Sequence, residues 1–283
     1  MCVSVNKDYI VGMNIIQIWG GLGNQMFQYA FAKGLAYKTG ESFGVDLSFF
    51  DTQDPLHRCC IRTYELERVF GLKLPVVESG VIPRLKKKSP FNWIVGRNLK
   101  IQAINPWRRD RDEKFHPEMW NPIWPKGTDV YYKGYWQHEQ YFDFIADEIH
   151  CDFAFKPLAK AYSQGLLQQI NNSASISLHI RRTDFVGSEN ETDFDYYHAT
   201  IGKIIAQQVS TDIPSHLFVF SDDIEWVKDN FRAELPVTCV DQTTDPAEDM
   251  FLMSQCKHNI LAPKSSFSWW AAWLNRNPQK MVV

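Results

Sequence analysis

The sequence predicts an α/β protein built on parallel sheets in two halves, on three observations. Met13–Gly20 reads as a buried strand that ends in glycines and passes into a helical pattern, which a second strand pattern follows. From near Phe155 to the C-terminus, strand and helix patterns alternate with short connections, as in a doubly wound domain. The chain has 283 residues, 45% of them apolar, enough for one large domain or two smaller ones with a sizeable core.

The elements follow in order. Asn24–Thr39 carries Phe27, Ala30, Phe31 and Leu35 at helical spacing, and Gly40 stops it. Ser42–Leu47 is the next strand. The stretch 75–125 is rich in proline, with Lys86–Lys88 and scattered Trp93, Trp107, Trp120 and Trp124; it reads as irregular loops and short helices over the sheet. Asp129–Trp136 reads as a strand and Gln140–Ile149 as a helix. A boundary near Phe155 gives domains 1–155 and 156–283. The second contains a helix to Ile170, strand Ser175–Ile180, helix Tyr196–Val209, strand Leu217–Ser221 and helix Ile224–Phe231. Strand Val237–Val240, helix Ala247–Gln255, strand Asn259–Ala262 and helix Phe267–Asn275 complete it. Met281–Val283 reads as the start of a strand, and a truncated or disordered tail is expected there.

Thirty basic and 33 acidic residues give a net charge of −3, which argues against a nucleic-acid binder. The polar start shows no signal-like segment. The longest apolar run, Trp269–Leu274, falls far short of the ~20 residues of a membrane span. A cytoplasmic protein is expected. Lys86–Lys88 reads as a solvated surface, with peripheral contact at the inner membrane face as the alternative. Six cysteines form no CxxC pair, and Cys256-Lys257-His258 is too tight for a zinc knuckle, so the thiols read as structural or incidental.

Four stretches carry chemistry. Gly20-Gly21-Leu22-Gly23-Asn24-Gln25 lies between the first strand and helix, where glycines let a ligand approach the backbone and the helix start favours anions. It lacks the Gly-Lys-Ser/Thr of a P-loop, and Met26 takes the third glycine position of GxGxxG. A tight turn is the plain alternative. His179-Ile180-Arg181-Arg182-Thr183-Asp184 ends a strand, where open α/β sheets bind ligands. An arginine there can grip a diphosphate with a bidentate fork, and a nearby Asp can hold the fork. A surface pair of Arg182 with Asp184 is the alternative, and His179 alone suits a structural role. Asp222 and Asp223 follow a buried strand; either could accept from the guanine edge or cap the next helix. Lys264–Trp270 is a hydroxyl-rich strand-to-helix turn suited to phosphate, or an N-cap before an aromatic core stripe, the role favoured for Trp269, Trp270 and Trp273.

Together, Gly20–Ala30, His179–Asp184, Val219–Asp223 and Ser265–Trp270 resemble the signatures of alpha-1,2-fucosyltransferases, glycosyltransferase family 11, in order and spacing across nearly the whole chain. The His-x-Arg-Arg stretch is also similar to that of alpha-1,6- and protein O-fucosyltransferases. The resemblance implies a GT-B fold, two facing Rossmann-like domains, with GDP-fucose held by the C-terminal half and a galactose-terminated oligosaccharide as acceptor. Arg181 would match the donor-gripping arginine, His179 and Asp184 its neighbours, and Asp223 a guanine contact. Ser265, Ser266 and Phe267 would match the diphosphate loop. Gly23 and Asn24 would lie near the sugar or acceptor, with Gln25 beside them; Arg181 and Asn24 are the catalytic candidates. Lys264 departs from the usual small residue, and the family's C-terminal tail is short or missing.

Cationic donors fixed at the leaving group would stabilise its charge, so no metal or other cofactor is expected. Asp110-Arg-Asp112 and Asp193-Phe-Asp195 carry the Asp-x-Asp pattern of metal-dependent transferases, but neither follows an apolar strand. Spacing does not choose a base among His138, Glu139 and Asp143. A fucosyltransferase of other linkage, or a non-catalytic GDP-sugar or glycan binder, is the alternative function.

Overall fold

The computed structural model describes residues 13–53, 61–78, 100–103, 115–120, 129–189, 191–207, 213–243 and 245–283. The chain divides into two compact units, the first ending at Ala154 and the second running Phe155–Val283.

In the first unit, β1 (Asn14–Gln17), β2 (Phe43–Asp46), β3 (Lys100–Ala103) and β4 (Val130–Lys133) form a parallel sheet in the order β2-β1-β4-β3. Helix α1 (Leu22–Thr39) crosses from β1 to β2, and Gly40, at φ 70°, caps it by donating its N–H to Ala36 O. All but two of the first twelve residues of α1 are buried, Asn24 and Lys33 being the exceptions, so it is a core helix, not an amphipathic surface one. Gly34 is its contact point: a Cβ there would lie 2.0 Å from Tyr141 O. Short helices α2 (Ser48–Asp51) and α3 (Leu66–Phe70) follow β2.

Three expectations are corrected here. The stretch 75–125 is not all loop and helix, for β3 pairs with β4 inside it, and Val76 bridges Val45 at the other edge of the sheet. Of its tryptophans only Trp120 lies among the described residues; Lys86–Lys88 and Asp110–Asp112 lie outside them. The strand expected to reach Trp136 stops at Lys133: a Cβ on Gly134 would meet the Trp136 ring at 3.0 Å, and Trp136 is itself left-handed at φ 59°. The helix expected over Gln140–Ile149 opens as two 3₁₀ turns, Glu139–Tyr141 and Asp143–Ile145, before α4 (Ala146–Asp152). Phe142, at φ −151° and ψ 3°, outside the helical region, and fully buried, separates the turns: burying its ring wins over continuing the helix.

The second unit repeats the logic. After α5 (Ala161–Asn171), the strands β5 (Ala174–Ile180), β6 (Ser215–Ser221), β7 (Val237–Cys239) and β8 (His258–Ile260) form a parallel sheet ordered β7-β6-β5-β8. Helices α6 (Phe194–Gln207), α7 (Ile224–Asn230), α8 (Pro246–Gln255) and α9 (Ser266–Leu274) alternate with them. Ile176, Leu178, Leu217 and Val219 from the strands pack on Tyr197, Ile201 and Ile204 of α6 and on Val227. Trp270 is wholly buried, as its place in a core stripe requires, whereas Trp269 and Trp273 are half-buried. Asn259 donates to Ser177 Oγ at 2.7 Å and Met253 O at 2.8 Å, and Asn275 donates to Asn259 Oδ1 at 2.7 Å, so these buried amides satisfy one another and the backbone. Val282 bridges Asn259, adding the chain's last residues to the β8 edge.

No helix among the described residues is long and apolar enough to cross a membrane.

Candidate active site

In each sheet the connections run one way from one central strand and the other way from its neighbour. Ligands of open α/β sheets bind beyond the carboxyl ends of the strands at such a reversal. In the second unit it falls between β5 and β8. His179 to Thr183 end the one; Leu261 to Ser266 follow the other.

The register sets the chemistry. Ile180 stands opposite Ser221, so the residues after β5 lie beside those after β6. Asp222 collects the resulting contacts. Its Oδ1 accepts from Arg182 N at 2.8 Å, and its Oδ2 accepts from Thr183 N at 3.2 Å and from the Thr183 hydroxyl. Arg181 Nε lies 3.2 Å from the same Oδ2 and donates to Asp184 Oδ1 at 2.7 Å. Two carboxylates thus hold Arg181 at the strand end. Arg182 turns the other way: its Nε meets Asp223 Oδ2 at 3.2 Å and its guanidinium lies over the Trp226 ring, 3.2 Å from the centroid. The alternative of a surface pair between Arg182 and Asp184 is therefore not what forms: Asp184 pairs with Arg181. Alternation along an extended chain sends neighbouring side chains to opposite sides, and the one aimed at Asp184 is Arg181.

His179 is 4% exposed, its Nδ1 has no hydrogen-bond partner among the described residues, and its ring packs against Phe267 with centroids 5.4 Å apart. Burial, reinforced by the Arg181 charge and opposed by Asp222, pushes its pKa down to about 4, so the imidazole is neutral near pH 7. Across the reversal, Ser265 caps α9 by accepting from Ser268 N, and Lys264 before it is left-handed at φ 61°. That conformation suits glycine best, because any Cβ there is crowded against the carbonyl oxygen.

Of the expected donor residues, His179, Arg181, Asp184, Asp223, Ser265, Ser266 and Phe267 thus gather at the carboxyl ends of β5, β6 and β8. Asp222 is the organising residue that the sequence leaves undistinguished from Asp223. Asp193, in the second Asp-x-Asp, accepts from Tyr196 N at 3.1 Å at the start of α6, as a helix cap does.

Gly23, Asn24 and Gln25 belong to the first unit, at the reversal between β1 and β4. Gly20, at φ 79°, leaves a gap that a Cβ would fill 2.8 Å from Asn24 Nδ2. Asn24 Oδ1 accepts from Gln137 Nε2 at 2.6 Å. Gln25 is wholly buried: its amide donates to Gly20 O and Thr63 O, and its carbonyl accepts from Glu65 N. Gln25 therefore ties the glycine turn to residues 63–65. His138 Nδ1 accepts from Gln140 N at 3.3 Å and its ring leans on Phe115; Glu139 and Asp143 open the two 3₁₀ turns.

Residues 97–283 match the sequence profile of glycosyl transferase family 11. The chain belongs to glycosyltransferase family 11. O-antigen biosynthesis glycosyltransferase WbnK of Escherichia coli is 31% identical, over 93% of this chain and 91% of that protein. Alpha-1,2-colitosyltransferase of Escherichia coli is 28% identical, over 92% and 87%. Among solved structures, NodZ alpha-1,6-fucosyltransferase (Bradyrhizobium), soaked with GDP-fucose, superposes with a TM-score of 0.54 at 15% identity, covering 93% of this chain and 92% of that one. That likeness gives the fold, a mixed α/β architecture on parallel sheets. The family 11 chain is thus a glycosyltransferase, and the strand-end cluster around Arg181 is its candidate active site.

Proposed function

We propose that this family 11 enzyme transfers L-fucose from GDP-β-L-fucose to O2 of a terminal β-galactoside, with inversion and without a bound metal. In this reading the frame is GT-B, the second unit takes the donor and the first the acceptor, and the enzyme works in the cytoplasm, with peripheral contact at the inner membrane face. The observation that carries it is Arg181, held by Asp184 and Asp222 at the end of the buried strand β5, whose neighbour β8 leads to the capped start of α9.

The chemistry follows from that placement. The acceptor O2 forms a bond to C1 of fucose as the bond from C1 to the diphosphate oxygen breaks; the O2 proton leaves and GDP carries away the electron pair. Negative charge grows on the diphosphate, and C1 gains oxocarbenium character. A guanidinium fixed in advance costs no reorganisation as that charge appears, and its attraction is greatest in the transition state. The backbone N–H groups at the start of α9, with Ser265 and Ser266, add donors for the phosphates. Neutral His179 supports the Phe267 side of the site without bringing a competing charge. Asp223, paired with Arg182, would accept from the N1–H and exocyclic amine of guanine.

The name of one relative favours a second donor: alpha-1,2-colitosyltransferase pairs the same linkage with a colitosyl group. One experiment decides both questions. The enzyme is incubated with lactose and either GDP-fucose or GDP-colitose, and the product is analysed by NMR. An α-1,2-fucosyl product, formed faster with GDP-fucose, supports the proposal. Preference for GDP-colitose overturns the donor, and any other linkage overturns the acceptor position.

A further inference from the structure

We infer that a row of half-buried aromatic rings on the first unit is the seat of the acceptor saccharide, a neutral pyranose. The inference rests on the glycosyl-transfer reading above and names residues that reading leaves unassigned. Trp19 follows β1, Phe49 and Phe50 follow β2, and Tyr135 follows β4. These strands are neighbours in the order β2-β1-β4 and run parallel, so the topology brings all four rings to one carboxyl edge. Tyr135 stacks on Trp19 with centroids 4.3 Å apart and planes 24° from parallel. Phe49 meets the other side of the row edge-on at 6.0 Å, and Phe50 continues it at 5.4 Å from Phe49.

Three features separate this row from core packing. Its rings are half-buried, whereas Phe27, Phe31, Tyr131 and Tyr132 behind them are at most 2% exposed. The Trp19 ring is fixed before any ligand arrives: its backbone N–H donates to Gln28 Oε1 at 2.9 Å and its indole N–H to Gly134 O at 3.3 Å. Gln28 is itself wholly buried and donates to the same Gly134 O, so a buried amide is spent on holding this edge. Beside the row stands the Asn24–Gln137 amide pair, at the reversal between β1 and β4 where a parallel sheet takes its ligand.

The chemistry matches a sugar. A pyranose offers one face of C–H groups, which packs on aromatic rings, and a rim of hydroxyls, which pair with amides. The reversal of the second unit instead gathers the charged Arg181, Arg182, Asp184 and Asp222, suited to a diphosphate. Four rings in sequence are more than one pyranose covers, so an oligosaccharide should gain contact beyond its terminal residue.

The test uses the full chain and lactose as probe. Saturation-transfer NMR should light up the galactose ring protons on the wild type, and the signal should be lost in Tyr135→Ala and kept in Tyr135→Phe. In turnover, Tyr135→Ala should raise KM for lactose about ten-fold with a much smaller change in KM for GDP-fucose, the signature of lost acceptor binding. Tyr135→Leu, which keeps bulk but not the flat face, should behave like the alanine variant and serves if the latter does not fold. A folded Tyr135→Ala or Tyr135→Leu with the wild-type KM for lactose overturns the subsite, as does equal damage to donor and acceptor parameters. If Tyr135→Ala abolishes lactose binding but GDP-fucose is not the donor, the subsite stands and the fucosyl reading fails.

Discussion

Replacing Asp222 by Asn tests whether catalysis depends on how Arg181 is held. The side chains have nearly the same shape, but the carboxylate has two accepting oxygens and the amide only one. Three hydrogen bonds converge on Asp222, from Arg182 N, Thr183 N and the Thr183 hydroxyl, and Arg181 Nε lies 3.2 Å away as an ion-pair partner. If the amide oxygen keeps Arg182 N, its NH₂ faces Thr183 N–H, donor against donor, and Arg181 loses the carboxylate charge beside it. A hydrogen bond to a charged group contributes about 1.5–3 kcal/mol. The ion pair itself, with side chains 21% and 18% exposed, contributes nearer ~1 kcal/mol after solvent screening. A loss of about 2–3 kcal/mol in local order follows, and Arg181 shifts toward Asp184. Misplacing a transition-state contact by ~1 Å costs up to about 10²-fold in rate, so kcat should fall roughly 10- to 100-fold. Arg181→Ala should fall about 10²–10³-fold. The assay is GDP release from GDP-fucose with lactose, with thermal melts to confirm folding. Because Asp222 acts through Arg181, adding Asp222→Asn to Arg181→Ala should cost little more. A folded Asp222→Asn enzyme with kcat within about twofold of wild type, or full additivity in the double variant, would refute the reasoning.

Other outcomes follow from the same structure. His179, with its pKa near 4 in the fold against 6.5 ordinarily, binds its proton more readily unfolded; its contribution is complete above pH 6.5 and is lost as pH falls toward 4, about 3 kcal/mol in all. Urea titrations across that window should therefore show a shallower acid loss in His179→Gln than in wild type. Gly34→Ala, which places a methyl 2.0 Å from Tyr141 O, should destabilise by about 3 kcal/mol or more, read as a large drop in the denaturant midpoint; an unchanged midpoint contradicts the packing of α1 on the 139–141 turn. Turnover should persist in EDTA, with fixed donors around the leaving group replacing a cation; loss on chelation with recovery in Mn²⁺ would defeat that reading.

The sequence by itself determined most of the local structure and the identity of the reactive groups. Strand-ending glycines, helical spacing over Asn24–Thr39 and the regular alternation after Phe155 are local signals, because each reflects a period of two or 3.6 that neighbouring residues share. Motifs such as His179–Asp184 and Ser265–Trp270 are legible for the same reason. β3 was not: its four residues lie in a proline-rich stretch, and their strand state comes from pairing with β4. The break in the helix after Glu139 came from burying Phe142, a tertiary gain that outweighs local propensity. Which arginine meets which carboxylate also lay beyond local pattern. Arg181 and Asp222 are 41 positions apart, and only the parallel register of Ile180 against Ser221 sets them side by side. Both faces of β6 are buried, Leu217 and Val219 on one and Phe218 and Phe220 on the other, so a one-residue slip would exchange aliphatic for bulky aromatic side chains in two packed layers and carry Asp222 away from Arg181.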